Sequence, residues 1–290
     1  MKNLEYKNLL DLYNDLKPQI QNTTNLKKLI CYFQKINLEE FWIKREEKIN
    51  FNIDLFNNSF QKLKVNYPIE YITNQVFFCS DYFYVNEKTL IPRPETEELV
   101  HIVVKLIAQN FHKPQVLDLC TGCGNIGISI ANRVECRDVF LSDKYDEVLQ
   151  VANKNLQSLV RKKNVGVVQS DILEKFVGRY NFDVLVCNPP YIKNPNEISI
   201  ETIKYEPYYA LVPENNDHLH FYKEVLRNYK RVMNNDKFLI AFEIGYDQER
   251  DLIKLLTRRK FNYNFLRDDL GKCRFLLVWK NIILSTLISN

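Results

Sequence analysis

Residues 116–127 read Val116-Leu117-Asp118-Leu119-Cys120-Thr121-Gly122-Cys123-Gly124-Asn125-Ile126-Gly127. A short apolar run ends beside an acid, a glycine-rich turn follows, and helical spacing begins near Asn125. The pattern predicts a strand, a tight loop and the start of a helix. Glycine is scarce, with seven in 290 residues, yet three of the seven fall between positions 122 and 127. So glycine-poor a chain keeps this residue where the backbone needs a positive φ or must admit a neighbour closely. In an open α/β sheet such a loop lies beyond the carboxyl ends of the strands, where ligands bind and a helix N-terminus offers free N–H groups.

The loop alone leaves three readings open. Gly122-x-Gly124-x-x-Gly127 fits a dinucleotide fingerprint. Asp118-Leu119-x-x-Gly122-x-Gly124 fits the first motif of S-adenosylmethionine-dependent methyltransferases. A tight strand-to-helix turn without a ligand fits as well. Asp143 closes the next apolar run, where an acid can hold ribose hydroxyls. Cys120 and Cys123 also form a C-x-x-C, but no second C-x-x-C or Cys/His pair completes a metal site, so no metal is expected.

Outward from the loop, strand and helix signals alternate. Arg137–Asp143, the run Asn164–Asp171, Phe182–Asn188 and Lys237–Gly245 read as strands; Asp146–Val160, His220–Met233 and Gln248–Arg259 read as helices. Such alternation predicts an α/β fold with a mostly parallel sheet. Two final strands, Phe261–Asp269 and Cys273–Asn281, joined at Leu270-Gly271-Lys272, predict an antiparallel edge. Upstream, Leu99, Val103 and Leu106 stripe a helix capped by Glu95 or Thr96. Residues 71–91, rich in aromatic and β-branched side chains, read as a β-hairpin. Before them, Tyr6, Leu9, Leu10, Tyr13 and Leu16, then Leu26, Leu29, Ile30, Phe33 and Ile36, recur at helical spacing. The expected organisation is a helical domain over residues 1–65, a hairpin linker over 66–91 and a catalytic domain over 92–290.

Composition narrows the function. The chain is 46% apolar and 26% charged, which excludes general disorder, and its net charge is only +4. A nucleic-acid enzyme usually carries a basic surplus or tract, and neither is present. No apolar run approaches the length of a membrane span. The first residues mix acids and bases into an apolar pattern, unlike a secretory signal, and the seven cysteines show no framework, so a reducing cytoplasm is expected. The four histidines have no metal or triad spacing and read as surface or packing residues.

The decisive segment is Phe182-Asp183-Val184-Leu185-Val186-Cys187-Asn188-Pro189-Pro190-Tyr191. A buried strand delivers Asn188-Pro189-Pro190-Tyr191 to the same sheet edge as the glycine loop. The prolines stiffen the turn and remove two N–H donors, leaving acceptors: the Asn188 side-chain oxygen and adjacent carbonyls. A planar NH₂ group is a poor nucleophile because its lone pair is delocalised. Accepting both its N–H groups orients the nitrogen and enriches it in electron density. Tyr191 can pack on the planar group. With the upstream loop, this points to methylation of a planar nitrogen rather than to hydride transfer.

Here the sequence resembles the HemK/PrmC family, the protein-(glutamine-N5) methyltransferases that act on peptide chain release factors. The resemblance covers nearly the whole chain, most clearly residues 68–290. It rests on Pro68-x-x-Tyr71-Ile72, on Leu90-Ile91-Pro92-Arg93-Pro94-Glu95-Thr96-Glu97 and on the Asn188 segment. Tyr205-Glu206-Pro207, Ala210-Leu211, Phe221-Tyr222, Glu243-Ile244-Gly245 and Asp268–Arg274 match later blocks. The resemblance implies a Rossmann-like methyltransferase domain. It implies that Asp118, Cys120, Thr121, Gly122, Cys123 and Gly124 cradle S-adenosylmethionine, that Asp143 holds its ribose, and that Asp171 and Ile172 lie beside its adenine. Asn188 would touch the cofactor and, with Pro189, Pro190 and Tyr191, hold the substrate glutamine. The helical domain would help grip the release factor; a monomer without nucleic acid or membrane partners is expected. Cys120, Asn74 and His218 stand where the family usually has glycine. The alternatives are a nucleic-acid N6-adenine methyltransferase, which shares Asn-Pro-Pro-Tyr, and a binding protein without activity.

Overall fold

The computed structural model describes residues 6–160, 164–258 and 261–284. The outermost residues of the expected first and last domains, and the end of the expected Gln248–Arg259 helix, lie outside them. The chain divides into two compact units, residues 1–75 and 76–290.

Among the described residues the first unit holds four α-helices: α1 (Leu9–Leu16), α2 (Thr23–Gln34), α3 (Ile53–Lys64) and α4 (Ile69–Thr73). Asparagines start three of them. Asn8 Oδ1 accepts from Asp11 N at 2.9 Å, Asn22 Oδ1 from Asn25 N at 3.1 Å and Asn52 Oδ1 from Leu55 N at 3.0 Å. Each fills an orphan donor of a first turn. The apolar stripes meet around Leu12, Leu29, Phe41, Phe56 and Phe60, all buried. The helical region runs past residue 65, because α4 takes in Tyr71, Ile72 and Thr73, which the sequence pattern assigns to a strand. Asn74 ends α4 in the left-handed region at φ 52°, a conformation Asn tolerates better than most residues.

The hairpin is shorter than its sequence signal. Strands β1 (Gln75–Phe78) and β2 (Asp81–Tyr84) flank a two-residue turn in which Cys79 and Ser80 both have positive φ. That is the turn whose twist matches paired strands. Helix α5 (Pro94–Asn110) follows. Its cap differs from expectation: Arg93 is the N-cap residue without a side-chain bond, and Pro94 opens the helix with its ring already at helical φ. Thr96 is committed elsewhere.

The remaining elements are β3 (Gln115–Leu119), α6 (Asn125–Arg133), β4 (Asp138–Asp143), α7 (Asp146–Leu159), β5 (Val165–Gln169), β6 (Val184–Cys187), α8 (Ile200–Tyr205), α9 (His220–Asn228), β7 (Phe238–Glu243), α10 (Glu249–Thr257), β8 (Asn262–Arg267) and β9 (Cys273–Lys280). They form a seven-stranded sheet ordered β5-β4-β3-β6-β7-β9-β8. The first five strands are parallel; β9 runs antiparallel between β7 and β8. The order reverses direction between β3 and β6, the switch point at which open α/β sheets bind ligands. Strands β6 and β7 are buried throughout, as strands covered on both faces must be. No described helix is long and apolar enough to cross a membrane.

Candidate functional site

The glycine loop is built around a buried carboxylate. Asp118 Oδ2 accepts from Thr121 Oγ1 at 2.6 Å and from the Gly127 N–H at 2.8 Å, while Oδ1 is buried without a partner. Burial pushes the Asp118 carboxyl up to about 7, although both donors pull the other way. Three residues turn the loop through the left-handed region: Cys120 at φ 58°, Gly122 at 55° and Gly124 at 86°. A β-carbon on Gly122 would meet no protein atom within 4 Å, so the backbone there is open to close approach.

Beyond the loop lies a cleft lined by Leu119 to Cys123, Asn125, Ile126, Asp143, Lys144, Val148, Asp171, Ile172, Asn188 and Pro190, among others. Cys120, Thr121, Gly122, Cys123, Asp143, Asp171, Ile172 and Asn188 thus line one cleft together. Asp118 and Gly124 lie beneath the wall and shape the loop. Asp143 Oδ2 accepts from the Gly122 N–H at 3.1 Å, and Oδ1 from the Lys144 N–H at 2.8 Å. Burial still raises this carboxyl to about 6. Ile172 is held at φ 46°, a costly conformation for a β-branched residue; it lines the cleft and packs against the core beneath. Lys144 Nζ spans the rim between Asp171 Oδ2 at 3.3 Å and Glu214 Oε2 at 2.7 Å.

These groups fit S-adenosylmethionine: a backbone cradle open at Gly122, a carboxylate for hydroxyls and an apolar wall for the purine.

A second cleft adjoins the first and shares Asn188 with it. Pro189, Tyr191, Ile192, Glu243 and Arg274 line this neighbour. Residues 188–191 thus stand between two spaces, with Pro190 on the first and Pro189 and Tyr191 on the second. The segment is fixed from below. Tyr191 donates its hydroxyl to Glu243 Oε1 at 3.1 Å, and its carbonyl accepts from Gln248 Nε2 at 3.0 Å. Thr96 donates to Glu243 Oε2 at 2.7 Å and accepts from Asn188 Nδ2 at 3.3 Å. Burial pushes the Glu243 carboxyl up; the Thr96 and Tyr191 hydroxyls and the nearby Arg274 guanidinium oppose it.

Three supports join segments distant in sequence; Asn155 and Gln248 have no sequence signal, while Glu206 stands in the Tyr205-Glu206-Pro207 block. Asn155 donates to Cys123 O at 2.8 Å and exchanges hydrogen bonds with the Tyr84 backbone, tying the glycine loop to the hairpin. Glu206, buried, accepts from Arg93 Nη2 at 2.5 Å and from the Ile91 N–H at 3.0 Å, clamping the segment before α5. Gln248 gathers Tyr191, His218, Gly245 and Tyr222. The C-x-x-C also resolves differently. The Cys123 thiol turns to Asn125 Oδ1, whereas the Cys120 thiol interacts with Cys187 on the next strand.

A family model, the methyltransferase small domain, matches residues 98–205. The delta-N METTL16 MTase domain is similar in fold, with a TM-score of 0.51 at 16% identity, covering 68% of this chain and 87% of that one. A release factor glutamine methyltransferase from Bacillus subtilis is 35% identical over 237 residues, 78% of this chain and 81% of its own. Another, from Flavobacterium psychrophilum, is 36% identical over 222 residues, 75% of this chain and 77% of its own. On likeness of this extent, the chain belongs to the release factor glutamine methyltransferase family.

Proposed function

We propose that the chain transfers a methyl group from S-adenosylmethionine to the side-chain amide nitrogen of a glutamine in a peptide chain release factor. The observation that carries this reading is the position of Asn188 on the wall shared by the two clefts. One cleft takes the donor and the other the amide.

When bound, S-adenosylmethionine supplies an electrophilic methyl group. The chain supplies orientation. The cradle from Cys120 to Gly124, Asp143 at the ribose, and Asp171 and Ile172 at the purine hold the donor. Asn188 Oδ1 and the carbonyl of Pro189 accept the two amide N–H groups, directing the nitrogen lone pair toward the first cleft. Pro190 keeps the turn stiff and Tyr191 packs on the amide plane. Neither Tyr191 nor Glu243 is placed to act as a base: the hydroxyl donates to the carboxylate, and burial pushes the Tyr191 hydroxyl's pKa upward. The proton leaves for water after transfer, when the methylated amide has become strongly acidic.

The helical unit grips the body of the release factor, and the enzyme acts as a cytoplasmic monomer. Incubation with labelled S-adenosylmethionine and a purified release factor, followed by mass spectrometry, tests the reading. A methyl group on a glutamine supports it. Label on adenine of added DNA, or no transfer at all, overturns it.

A further inference from the structure

The Asn188 amide can face its neighbours in two ways, with its oxygen or its NH₂ toward Thr96, and only one suits the reaction proposed above. Thr96 Oγ1 lies 2.7 Å from Glu243 Oε2 and 3.3 Å from Asn188 Nδ2. Both Thr96 and Glu243 are buried, at 2% exposure each, so no bulk water competes for these bonds. A hydroxyl has one proton. Here it goes to Oε2 of the carboxylate, whose Oε1 accepts from Tyr191. The hydroxyl is left with lone pairs only. An Asn188 oxygen turned toward it would set acceptor against acceptor, and the NH₂ would then face the substrate.

We infer that Thr96 and Glu243 are positioning residues that lock the Asn188 amide with its NH₂ inward and its oxygen toward the substrate. The inference rests on the methyl-transfer reading, because a donor at that place would repel the N–H groups of a substrate amide. Glu243 lies 147 residues from Thr96 in sequence, so the fold must bring the two together. Neither residue need touch the glutamine.

The test pairs Thr96→Val, which keeps the shape and loses the hydroxyl, with Thr96→Ser, which keeps the hydroxyl. Thr96→Val is expected to lower kcat about 100-fold while the KM for S-adenosylmethionine stays within about twofold. Thr96→Ser is expected to recover kcat to within about threefold of the parent. Equal kcat in Thr96→Val and the parent overturns the inference, as does an equal loss in both variants. A second measurement needs no variant. In parent enzyme labelled with ¹⁵N-asparagine, the Asn188 side-chain NH₂ protons should show a nuclear Overhauser effect to the Thr96 methyl group. Its absence from an assigned Asn188 signal overturns the inference. This readout comes from the enzyme alone. A parent that methylates no release factor would therefore sink the proposed function, while the amide orientation would still be judged.

Discussion

Gly127 and Asp118 are in direct contact: the Gly127 N–H donates to Asp118 Oδ2 at 2.8 Å, and a β-carbon on Gly127 would sit 2.9 Å from the same oxygen while overlapping Leu141 Cδ2. Gly127→Ala must move the carboxylate that holds the loop. The expected cost is about 1–3 kcal/mol of stability, from overpacking. Denaturant melts measure it, and a midpoint equal to the parent's would show that the strand and helix can part without penalty.

Asn188→Ala removes the side-chain acceptor and leaves both prolines. Turnover is expected to fall about 100-fold or more, as when one preorganised polar group is lost from a site. Calorimetry should find affinity for S-adenosylmethionine changed far less. Near-parent turnover would show that the side chain does not orient the nucleophile.

Cys120 bears a side chain at φ 58°, where glycine costs nothing and other residues about 1–2 kcal/mol. Cys120→Gly should therefore keep or tighten cofactor binding. The pair to watch for oxidation is Cys120 with Cys187, since Cys123 turns away. The hydrogen bond with the Cys187 thiol, and then burial, push the Cys120 thiol up, and burial lifts Cys123 to about 12, so neither is a ready thiolate at neutral pH. Mild disulfide oxidants should leave turnover of the parent unchanged. Reversible inhibition, lost in Cys120→Gly, would contradict this.

Affinity for S-adenosylmethionine should weaken as pH falls below about 6, because Asp143 then takes up a proton and holds hydroxyls less well. The effect on stability has the opposite sign. A carboxyl raised from 3.8 to about 6 by burial binds its proton more tightly in the folded chain, so the stability it contributes is present at low pH and lost as pH rises through about 6. Asp143→Asn should flatten both profiles near pH 6 without abolishing them, since Asp118, raised to about 7, acts in the same direction. An unaltered profile in the variant would assign the titration to another group.

Trp42 and Ile43, in the turns between α2 and α3, are 47% and 82% exposed. Replacing both with Ala should raise the KM for a release factor several-fold, as loss of exposed aromatic and aliphatic anchors does at interfaces. The KM for S-adenosylmethionine should not move. Parallel increases in both constants would mean that the helical unit does not dock the substrate.

The strand–loop–helix around Asp118 and the turn at Asn188 were legible because each is a local signal: glycines at positive φ, an acid at a strand end, prolines after an asparagine. The sheet followed from alternation alone. What escaped was decided by neighbours distant in sequence. Thr96 reads as a helix cap, but a buried carboxylate on β7 claims its hydroxyl and Pro94 opens the helix. Tyr71, Ile72 and Thr73 have strand-like composition, yet the packing of α4 in the first unit overrides a weak propensity. Cys120 and Cys123 suggest a pair by spacing, while strand register sets Cys187 opposite Leu119 and brings its thiol to Cys120. Asn155 and Glu206 carry no local mark of the segments they tie.

Strands β3 and β6 are immediate neighbours, with Leu119 opposite Cys187, and each leads straight into one of the two loops. The glycine loop and the Asn188 turn thus leave the sheet one interstrand interval apart, about 4.8 Å. That interval is fixed by main-chain hydrogen bonding and does not depend on side chains. The fold therefore carries its own ruler between the two loops. Substitutions can reshape either loop but scarcely alter where the two begin, so the glycine loop carries a side chain at Cys120 with that spacing intact.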